Sequence, residues 1–517
     1  MKPNHPINRH SIVCLLLCAL LAPAFQSFAQ SNNPPGQPQS DRGGRGGGGG
    51  RDGRGKGGGG GGGGRDRAGD QRGKGGGGGG GPVGEFRTAV PAHPLDLILG
   101  RPTQNSITLS VLAYEDRDGF VTYGTEKGSY PAETPKQLFK KGQPVEVLIT
   151  SLKPNTGYFY QFRSRTPGSA QFANSAEFAF HTARPAGSAF TFTLTADPHL
   201  DERTEPGVYA RTLANIAADH PDFHVDLGDT FMTEKYGEYK QAHGQYLAQR
   251  YYFGLISSSA PLFLALGNHD GESGSGNRDT SDTMTVWANS MRKLYFPNPV
   301  PDAGFYTGNK TPDKFAGLLQ DFYAWEWGDA LLVVLDPFWY TRARIREGEN
   351  WGRTLGQEQY NWLKRTLEAS RARFKFVFIH HLVGGATREG RGGVEAAKYF
   401  EWGGQSLNGR DDFKEQRPGW PLPIHQMLVQ NHVSAVFHGH DHLFVKQELD
   451  GIVYQECPQP GASRGNTRTA AEYGYVSGVI LGSPGHLRIA VSPANAAVDY
   501  VQAARSVAHS YTLTGHP

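Results

Sequence analysis

Short apolar runs that end in polar residues recur along the chain from Phe190 onward. Stretches with the 3.6-residue period of an amphipathic helix, such as VYARTLANIAADH from Val208, separate several of them. This alternation of buried strands and helices predicts an α/β domain over residues 186–517, with polar side chains at the carboxyl ends of its strands. The runs are FTFTLTADPH, FHVDLGD, PLFLALGNHD, ALLVVLD, FKFVFIHH and VSAVFHGHDH.

Residues 83–185 follow a different pattern, in which apolar and polar residues alternate over short runs between turn-rich pieces. This pattern predicts a small antiparallel β-sandwich. The run LKPNTGY, from Leu152 to Tyr158, resembles the tyrosine corner of fibronectin type III domains. Ionisable residues form no cluster in this part of the sequence, so we expect it to be non-catalytic. The runs are LDLILG, SITLSVLAY, GFVTYG, VEVLITSL, GYFYQFRSR and AEFAFHTA.

Residues 1–29 have the pattern of a secretory signal peptide. Lys2 and Arg9 precede the apolar run SIVCLLLCALLAPAF, and small residues precede a cleavage point at Gln30. The apolar run has about 15 residues, which is short of the roughly 20 that a membrane-spanning helix needs. We therefore expect a secreted or periplasmic protein with no membrane span after signal cleavage. Cleavage would leave Cys457 as the one cysteine, so no internal disulfide is expected.

Residues 30–82 are rich in glycine with interspersed arginine and contain almost no apolar residues. Such a composition cannot bury enough surface to offset the entropy of ordering, which predicts a disordered linker. Weak contact of this tract with anionic polymers is the alternative. Residues 1–82 carry a formal charge of +7 and residues 83–517 a charge of −4, which together give the net charge of +3. No specific nucleic-acid partner is therefore predicted.

Carboxylate, amide and imidazole side chains are concentrated at the predicted strand ends. We expect the carboxyl ends of these strands to place them on one rim of one sheet. Imidazole nitrogens and carboxylate oxygens without a thiolate suit Zn, Mn or Fe, and two such ions about 3.5–4 Å apart need one shared ligand. The pattern predicts a two-metal hydrolytic centre, with candidate residues Asp197, His199, Asp229, Asn268, His269, Asp270, His380, His381, His440 and His442.

The order of these motifs resembles that of the calcineurin-like metallophosphoesterase superfamily. The motifs are Asp-x-His, Gly-Asp, Gly-Asn-His-Asp, a strand-end His and Gly-His-x-His. With a β-sandwich in front of them, the arrangement is similar to that of purple acid phosphatases. The resemblance implies a four-layer sandwich in which two mixed β-sheets are flanked by helices. It also implies two divalent or trivalent metal ions, of Fe, Mn or Zn.

The resemblance further implies a ligand set for each ion. Asp229 would bridge the two ions through its two oxygens. His380 is preferred to His381 because of the Val-x-x-His spacing, and the choice between them stays open. His438 is expected to pack behind the ligands. The first ion would be held by Asp197, His199 and His442, and the second by Asn268, His380 and His440.

Two positions depart from the pattern of purple acid phosphatases. His199 stands where those enzymes normally have glycine. Met232 stands where they have the tyrosine that gives their iron its colour. We therefore expect a colourless centre.

The function that the resemblance implies is hydrolysis of a small phosphorylated substrate, a phosphate monoester, by attack of a metal-bridging hydroxide. His269 is the candidate general acid, and Asp270 is expected to orient its ring. Arg292, Arg388 and Arg391 are candidates for contact with the substrate, or else solvated loop charges. Two alternatives remain: a phosphodiesterase acting on nucleotides or glycerophosphodiesters, and a non-catalytic cell-surface binding protein with a vestigial enzyme fold.

Overall fold

The computed structural model describes residues 86–516 apart from 202, 237, 276–279, 302–303 and 343. The predicted signal peptide and the predicted Gly/Arg-rich linker lie outside the described residues. The first nine strands are β1 (Leu95–Gly100), β2 (Ile107–Ala113), β3 (Arg117–Gly124), β4 (Ala132–Glu133), β5 (Gln137–Phe139), β6 (Val145–Ile149), β7 (Gly157–Arg165), β8 (Ala173–Asn174) and β9 (Phe178–His181).

Fourteen further strands follow in the described residues. They are β10 (Phe190–Thr195), β11 (Phe223–Asp226), β12 (Leu262–Leu264), β13 (Thr307–Gly308), β14 (Tyr323–Trp327), β15 (Ala330–Val334), β16 (Phe374–Phe378), β17 (Ala435–His438), β18 (Leu443–Leu449), β19 (Ile452–Glu456), β20 (Val479–Gly482), β21 (Gly485–Val491), β22 (Asn495–Gln502) and β23 (Val507–Thr514).

The described helices all fall among these later strands. They are α1 (Pro206–Ala218), α2 (Tyr239–Ser257), α3 (Met284–Tyr295), α4 (Gly356–Ala369), α5 (Phe400–Gly403), α6 (Phe413–Gln416) and α7 (Ile424–Gln430), with short 3-10 helices at Thr233–Lys235 and Asn350–Gly352. Within the part of the chain that the structure describes, no helix is both long and apolar enough to cross a membrane.

Strands β1 to β9 form an all-β region of two antiparallel sheets. One sheet has the order β1-β2-β6; in the other, β3 and β7 pair centrally and carry the shorter strands. The period-two pattern is clear in β7, where Tyr158, Tyr160 and Phe162 are buried and the residues between them are less so. The hydroxyl of Tyr158 accepts the N–H of Lys153 at 2.8 Å, the contact expected of a tyrosine corner. All six predicted runs form strands; β4, β5 and β8 were too short to predict.

Two mixed sheets form the centre of the remaining chain. Their strand orders are β12-β11-β10-β21-β22-β23 and β13-β14-β15-β16-β17-β19-β18-β20. Aromatic residues fill the space between them: the rings of Phe263 and Trp325 stack at 4.1 Å, and Phe192 meets Phe376 at 5.7 Å. The six-stranded sheet thus packs face to face on the eight-stranded sheet.

Helices cover the outer face of each sheet. Leu213 of α1 and Phe253 of α2 pack with Leu264 of β12 in one cluster. On the other side, Leu363 of α4 packs with Val377 of β16. Strand β16 is buried on both faces, which explains its continuous apolar run. Phe376 and Phe378 face the six-stranded sheet, and Val377 faces the helices. The predicted four-layer sandwich is therefore confirmed.

The strands that precede the candidate ligands do not belong to one sheet. Strands β10, β11 and β12 lie in the six-stranded sheet, whereas β16 and β17 lie in the eight-stranded sheet. The expectation of one rim of one sheet, drawn from the apolar runs, is therefore wrong. A run of apolar residues shows that a strand is buried on both faces, but it carries no information about its neighbours.

Arg250 joins the all-β region to the α/β region. Its buried guanidinium, on α2, donates to the backbone carbonyl of Ser110 at 3.0 Å and to that of Asp96 at 3.2 Å. It also donates to the Ser110 hydroxyl at 2.9 Å and to the carbonyl of Tyr295. Burial lowers its pKa to about 10. The carbonyls of β1 and β2 thus serve as acceptors for a cation from the other region.

Candidate metal centre

Two groups of possible ligands lie side by side where strands of the two sheets end. The first consists of Asp197, His199 and His442, and the second of Asp229, His380 and His440. Within each group the ligand atoms lie within 4.8 Å of one another. The two groups adjoin, since Nε2 of His380 is 4.0 Å from Oδ1 of Asp197.

The first group combines the end of β10 with the loop after β17. Nε2 of His199 is 3.2 Å from Nε2 of His442. That His442 nitrogen is 3.4 Å from Oδ1 of Asp197. Two imidazole nitrogens and one carboxylate oxygen thus converge on a small volume between the sheets.

The second group draws on the ends of β11, β16 and β17. Nε2 of His380 is 3.3 Å from Oδ2 of Asp229. The amide oxygen of Asn268, which follows β12, lies 3.1 Å from the same nitrogen. The structure therefore brings Asn268 to the second group, as the sequence predicted.

Backbone carbonyls determine which imidazole nitrogens remain free. Nδ1 of His380 donates to the carbonyl of Leu227 at 2.9 Å, which directs Nε2 towards Asp229. Nε2 of His440 donates to the carbonyl of Glu389 at 3.1 Å, which leaves Nδ1 for a ligand. Such contacts fix the tautomer and orientation of metal-binding histidines.

Asp197 and Asp229 each accept one backbone hydrogen bond. Oδ2 of Asp197 accepts the N–H of His440 at 2.9 Å, and Oδ1 of Asp229 accepts the N–H of His269 at 2.7 Å. The other oxygen of each carboxylate faces the imidazoles. That Asp229 binds the two ions through its two oxygens stays a prediction, and Oδ1 would then accept a backbone hydrogen bond as well.

The donor atoms fit metal ions. Oδ1 of Asp197 is buried and accepts no hydrogen bond. Beside it, Nε2 of His380 lies within reach of Oδ2 of Asp229 and of Oδ1 of Asn268, an arrangement that a proton or a metal ion holds together. Imidazole nitrogen, carboxylate oxygen and amide oxygen without a thiolate are the donors that Zn, Mn and Fe accept.

The electrostatics of Asp197 and Asp229 also favour bound metal ions. Burial would raise the pKa of Asp197 and of Asp229, but the imidazoles of His442 and His380 hold both below their usual range. The two carboxylates still repel each other. Two anions concentrated in a buried volume favour bound cations.

The backbone is left-handed at four of the predicted ligands. The φ angles are 58° at Asp197, 57° at Asp229, 84° at His440 and 58° at His442. Residues other than glycine seldom adopt this conformation, which costs of the order of 1–3 kcal/mol each when it is sparsely populated. Strain of this kind is retained where it directs side chains towards a site.

His269 lies beside the centre and points into it. Its Nε2 is 3.9 Å from Oδ2 of Asp229, and its side chain is 26% exposed. Its Nδ1 is hydrogen-bonded to Glu234, from the 3-10 helix Thr233–Lys235. A histidine with one nitrogen held by a carboxylate and the other at the mouth of the site is placed to donate a proton.

Asp270 does not orient the ring of His269, contrary to our expectation. Its carboxylate accepts four backbone N–H groups, from Gly267 at 2.7 Å, Thr230 and Phe231 at 2.8 Å, and Asp229 at 3.1 Å. Asp270 therefore positions the loop that carries Asp229. Sequence reasoning missed Glu234, because nothing in its immediate sequence links it to His269.

The remaining histidines are used differently. Nδ1 of His438 lies 2.7 Å from the buried Glu456, so His438 packs behind the ligands, as expected. His381 is in neither group; its Nε2 lies 3.3 Å from Nη1 of Arg353. The structure thus brings His380, and not His381, to the second group.

The arginines proposed as phosphate contacts also differ. Arg292 is buried and forms an ion pair with Glu272, Nε to Oε1 at 2.5 Å, so it is a structural residue. Arg391 donates to Asp441 at 2.7 Å and stacks on Tyr473 at 4.1 Å. Arg391 therefore anchors its loop to the segment between His440 and His442. Arg388 is more exposed and pairs with Glu389 at 3.4 Å.

Comparisons with known proteins agree with this fold. The calcineurin-like phosphoesterase family model matches residues 190–444. Among solved structures, the purple acid phosphatase PPD1 from yellow lupin (Lupinus luteus) seeds has a TM-score of 0.54 and 15% identity, over 81% of this chain and 74% of that chain. PhoD has a TM-score of 0.56 and 14% identity, over 81% of this chain and 88% of that chain.

At these identities the two solved structures show a common fold alone. No protein with curated annotation matches the sequence. The family match covers the segment that carries all seven predicted ligands, from Asp197 to His442. Residues 190–444 therefore form a calcineurin-like phosphoesterase domain, the catalytic domain of a metal-dependent phosphoester hydrolase.

Proposed function

We propose that the protein hydrolyses phosphate monoesters at a centre of two metal ions. The observation that supports this most directly is the pair of adjoining donor groups, in which the buried Oδ1 of Asp197 accepts no hydrogen bond. Asp197, His199 and His442 would hold one ion, and Asn268, His380 and His440 the other. Asp229 would lie between them and contribute Oδ2.

Bound ions would activate a water as the nucleophile and neutralise charge on the phosphoryl oxygens. The protein itself supplies orientation and a proton. Carbonyls of Leu227 and Glu389 hold two imidazoles in place. His269, held at Nδ1 by Glu234, would protonate the leaving oxygen from Nε2.

The first experiment measures metal content and two activities on the purified protein. Metals are quantified by plasma mass spectrometry, and p-nitrophenyl phosphate is compared with bis-p-nitrophenyl phosphate. We expect two ions per chain, of Fe, Mn or Zn, and faster hydrolysis of the monoester. A faster diester reaction would instead support a phosphodiesterase.

The decisive variant is Asp229→Asn, which removes the shared charge. Its matched control is Asp222→Asn, a buried carboxylate just before the same strand, β11, that pairs with Arg184 at 2.5 Å. We expect Asp229→Asn to lose activity and metal while Asp222→Asn keeps both. Wild-type protein that binds no metal and is inert after Mn, Zn and Fe are supplied would support the non-catalytic binding protein.

We also propose that the enzyme is exported. The support is the charged start, apolar run and small residues before Gln30. Cell fractionation with amino-terminal sequencing tests this. A mature protein that begins near Gln30 outside the cytoplasm is expected, and an uncleaved cytoplasmic protein would contradict the proposal.

A further inference from the structure

A carboxylate lies behind the imidazole of His199. Nε2 of His199 faces His442 in the first donor group, whereas Nδ1 lies 3.3 Å from Oδ2 of Asp201. The two atoms are in contact without the alignment of a full hydrogen bond, and Nδ1 is bonded to no other described group. Contacts of this kind often tighten when a site is filled. Asp201 is therefore the residue that can orient the His199 ring.

The histidines of the second donor group are held by neutral groups instead. Nδ1 of His380 donates to the carbonyl of Leu227, and Nε2 of His440 donates to the carbonyl of Glu389. A carboxylate behind an imidazole makes the opposite nitrogen a more basic ligand, and a charged acceptor does so more strongly than a carbonyl. The two ions would therefore not be held equally.

Burial makes the charge of Asp201 effective. The side chain of His199 is 2% exposed and that of Asp201 is 14% exposed, so solvent screens their interaction only weakly. The other imidazole of the first group, that of His442, is 28% exposed. His199 is thus the more enclosed of the two imidazoles and the one with an anionic partner.

The loop that carries Asp201 is fixed on both sides of the carboxylate. Oδ1 of Asp201 accepts the N–H of Arg203 at 2.9 Å, which leaves Oδ2 directed at His199. The buried hydroxyl of Thr204 donates to the carbonyl of His199, and Thr204 forms a β-bridge with Ala462. These bonds keep the carboxylate beside the ring.

We propose that Asp201 is a positioning residue that orients His199 and strengthens it as a ligand of the first ion alone. This inference rests on the proposed two-metal function and assigns a source of unequal affinity to its two ions. Asp201 does not touch the position of the substrate, so its effect on catalysis passes through the metal.

The test measures Mn²⁺ binding to the metal-free protein by isothermal titration calorimetry. Asp201→Asn and Asp201→Ser remove the charge and keep an oxygen that can accept the N–H of Arg203. Each is combined with Asn268→Ala, which disables the second site, or with His442→Ala, which disables the first. We expect loss of the Asp201 charge to weaken Mn²⁺ binding roughly 10- to 100-fold in the Asn268→Ala background, and by less than about threefold in the His442→Ala background.

The matched control is Asp219→Asn. Asp219 also contacts a buried imidazole, Nε2 of His486 at 2.8 Å, but His486 belongs to neither donor group. Both Mn²⁺ affinities should change by less than about threefold in this variant. In the otherwise wild-type chain, Asp201→Asn should hydrolyse p-nitrophenyl phosphate slowly at limiting Mn²⁺ and recover most of its kcat at saturating Mn²⁺.

Three results would overturn the inference. Equal weakening in both backgrounds, or loss of the circular dichroism spectrum in both Asp201 variants, would assign Asp201 to the fold of its loop. Unchanged Mn²⁺ affinity in the Asn268→Ala background would show that the carboxylate does not act on His199. A wild-type chain that binds two ions yet hydrolyses neither ester would contradict the proposed function, while the same titrations would still decide the role of Asp201.

Discussion

Two buried polar regions of the α/β domain are satisfied in opposite ways. Around Arg292, donors meet acceptors: the guanidinium binds both oxygens of Glu272 and the carbonyls of Leu319 and Gln320. Asn289 donates to the same Glu272 carboxylate at 2.8 Å. At the candidate metal centre, by contrast, the buried Oδ1 of Asp197 accepts no hydrogen bond. Charged residues in a core therefore indicate a site only where their hydrogen-bonding capacity is left unmet.

The comparison predicts that a charged ligand at the metal centre contributes far more to activity than to folding. Asp197→Asn keeps the shape of the side chain, and asparagine tolerates the left-handed backbone found there. We expect kcat/KM to fall roughly 10³-fold or more, because a charged ligand is lost. In the absence of metal, however, the variant should lose only a little stability, because the attraction between Asp197 and His442 is opposed by the burial of the carboxylate and by its repulsion of Asp229.

Urea denaturation of the metal-free proteins measures this stability. A metal-free Asp197→Asn protein destabilised as much as metal-free Asp222→Asn would show that Asp197 contributes as much to folding as a fully paired carboxylate. Asp222→Asn serves as the comparison, because it breaks a paired carboxylate and should destabilise the protein.

Substitution of Arg292 should have the opposite effect, a loss of stability without a loss of activity. Arg292→Met leaves Glu272 buried without its cation, and we expect a loss of about 3–5 kcal/mol in the free energy of unfolding. Activity per folded molecule should stay close to that of the wild type at low temperature. Equilibrium denaturation and activity measured on the same samples test both parts.

A second substitution sharpens this prediction. Replacing Glu272 by leucine in the Arg292→Met background removes the stranded charge, so part of the stability should return. If Arg292→Met instead retained its stability but lost activity, Arg292 would belong to the site after all.

Substitution of His269 should affect the chemical step alone. His269→Gln keeps the metal ligands, and we expect kcat to fall roughly 10²- to 10³-fold for alkyl phosphates. The fall should be much smaller for p-nitrophenyl phosphate, since its leaving group departs without a proton. Equal losses on both substrates would argue against a role in protonating the leaving group.

The sequence predicted the strands and the seven candidate ligands for one physical reason. Each ligand follows an apolar run directly, so the pattern of the run also marks its end, as with β16 and His380. The features that the sequence could not predict depend on contacts between residues that are distant in sequence. The assignment of β16 and β10 to different sheets, and the place of Arg353 behind His381, follow from tertiary packing.

The contact between Glu234 and His269 also joins residues distant in sequence, because a turn with left-handed Met232 brings Glu234 to His269. Glu234→Gln removes the charge that orients the imidazole, and we expect kcat to fall roughly tenfold with KM unchanged. The loss should again be larger for alkyl phosphates than for p-nitrophenyl phosphate. Lys235→Gln, at the neighbouring residue that also contacts Glu234, is the matched control and should change kcat by less than about twofold. If Glu234→Gln lost metal or reduced all substrates alike, Glu234 would act on the fold of the turn and not through His269.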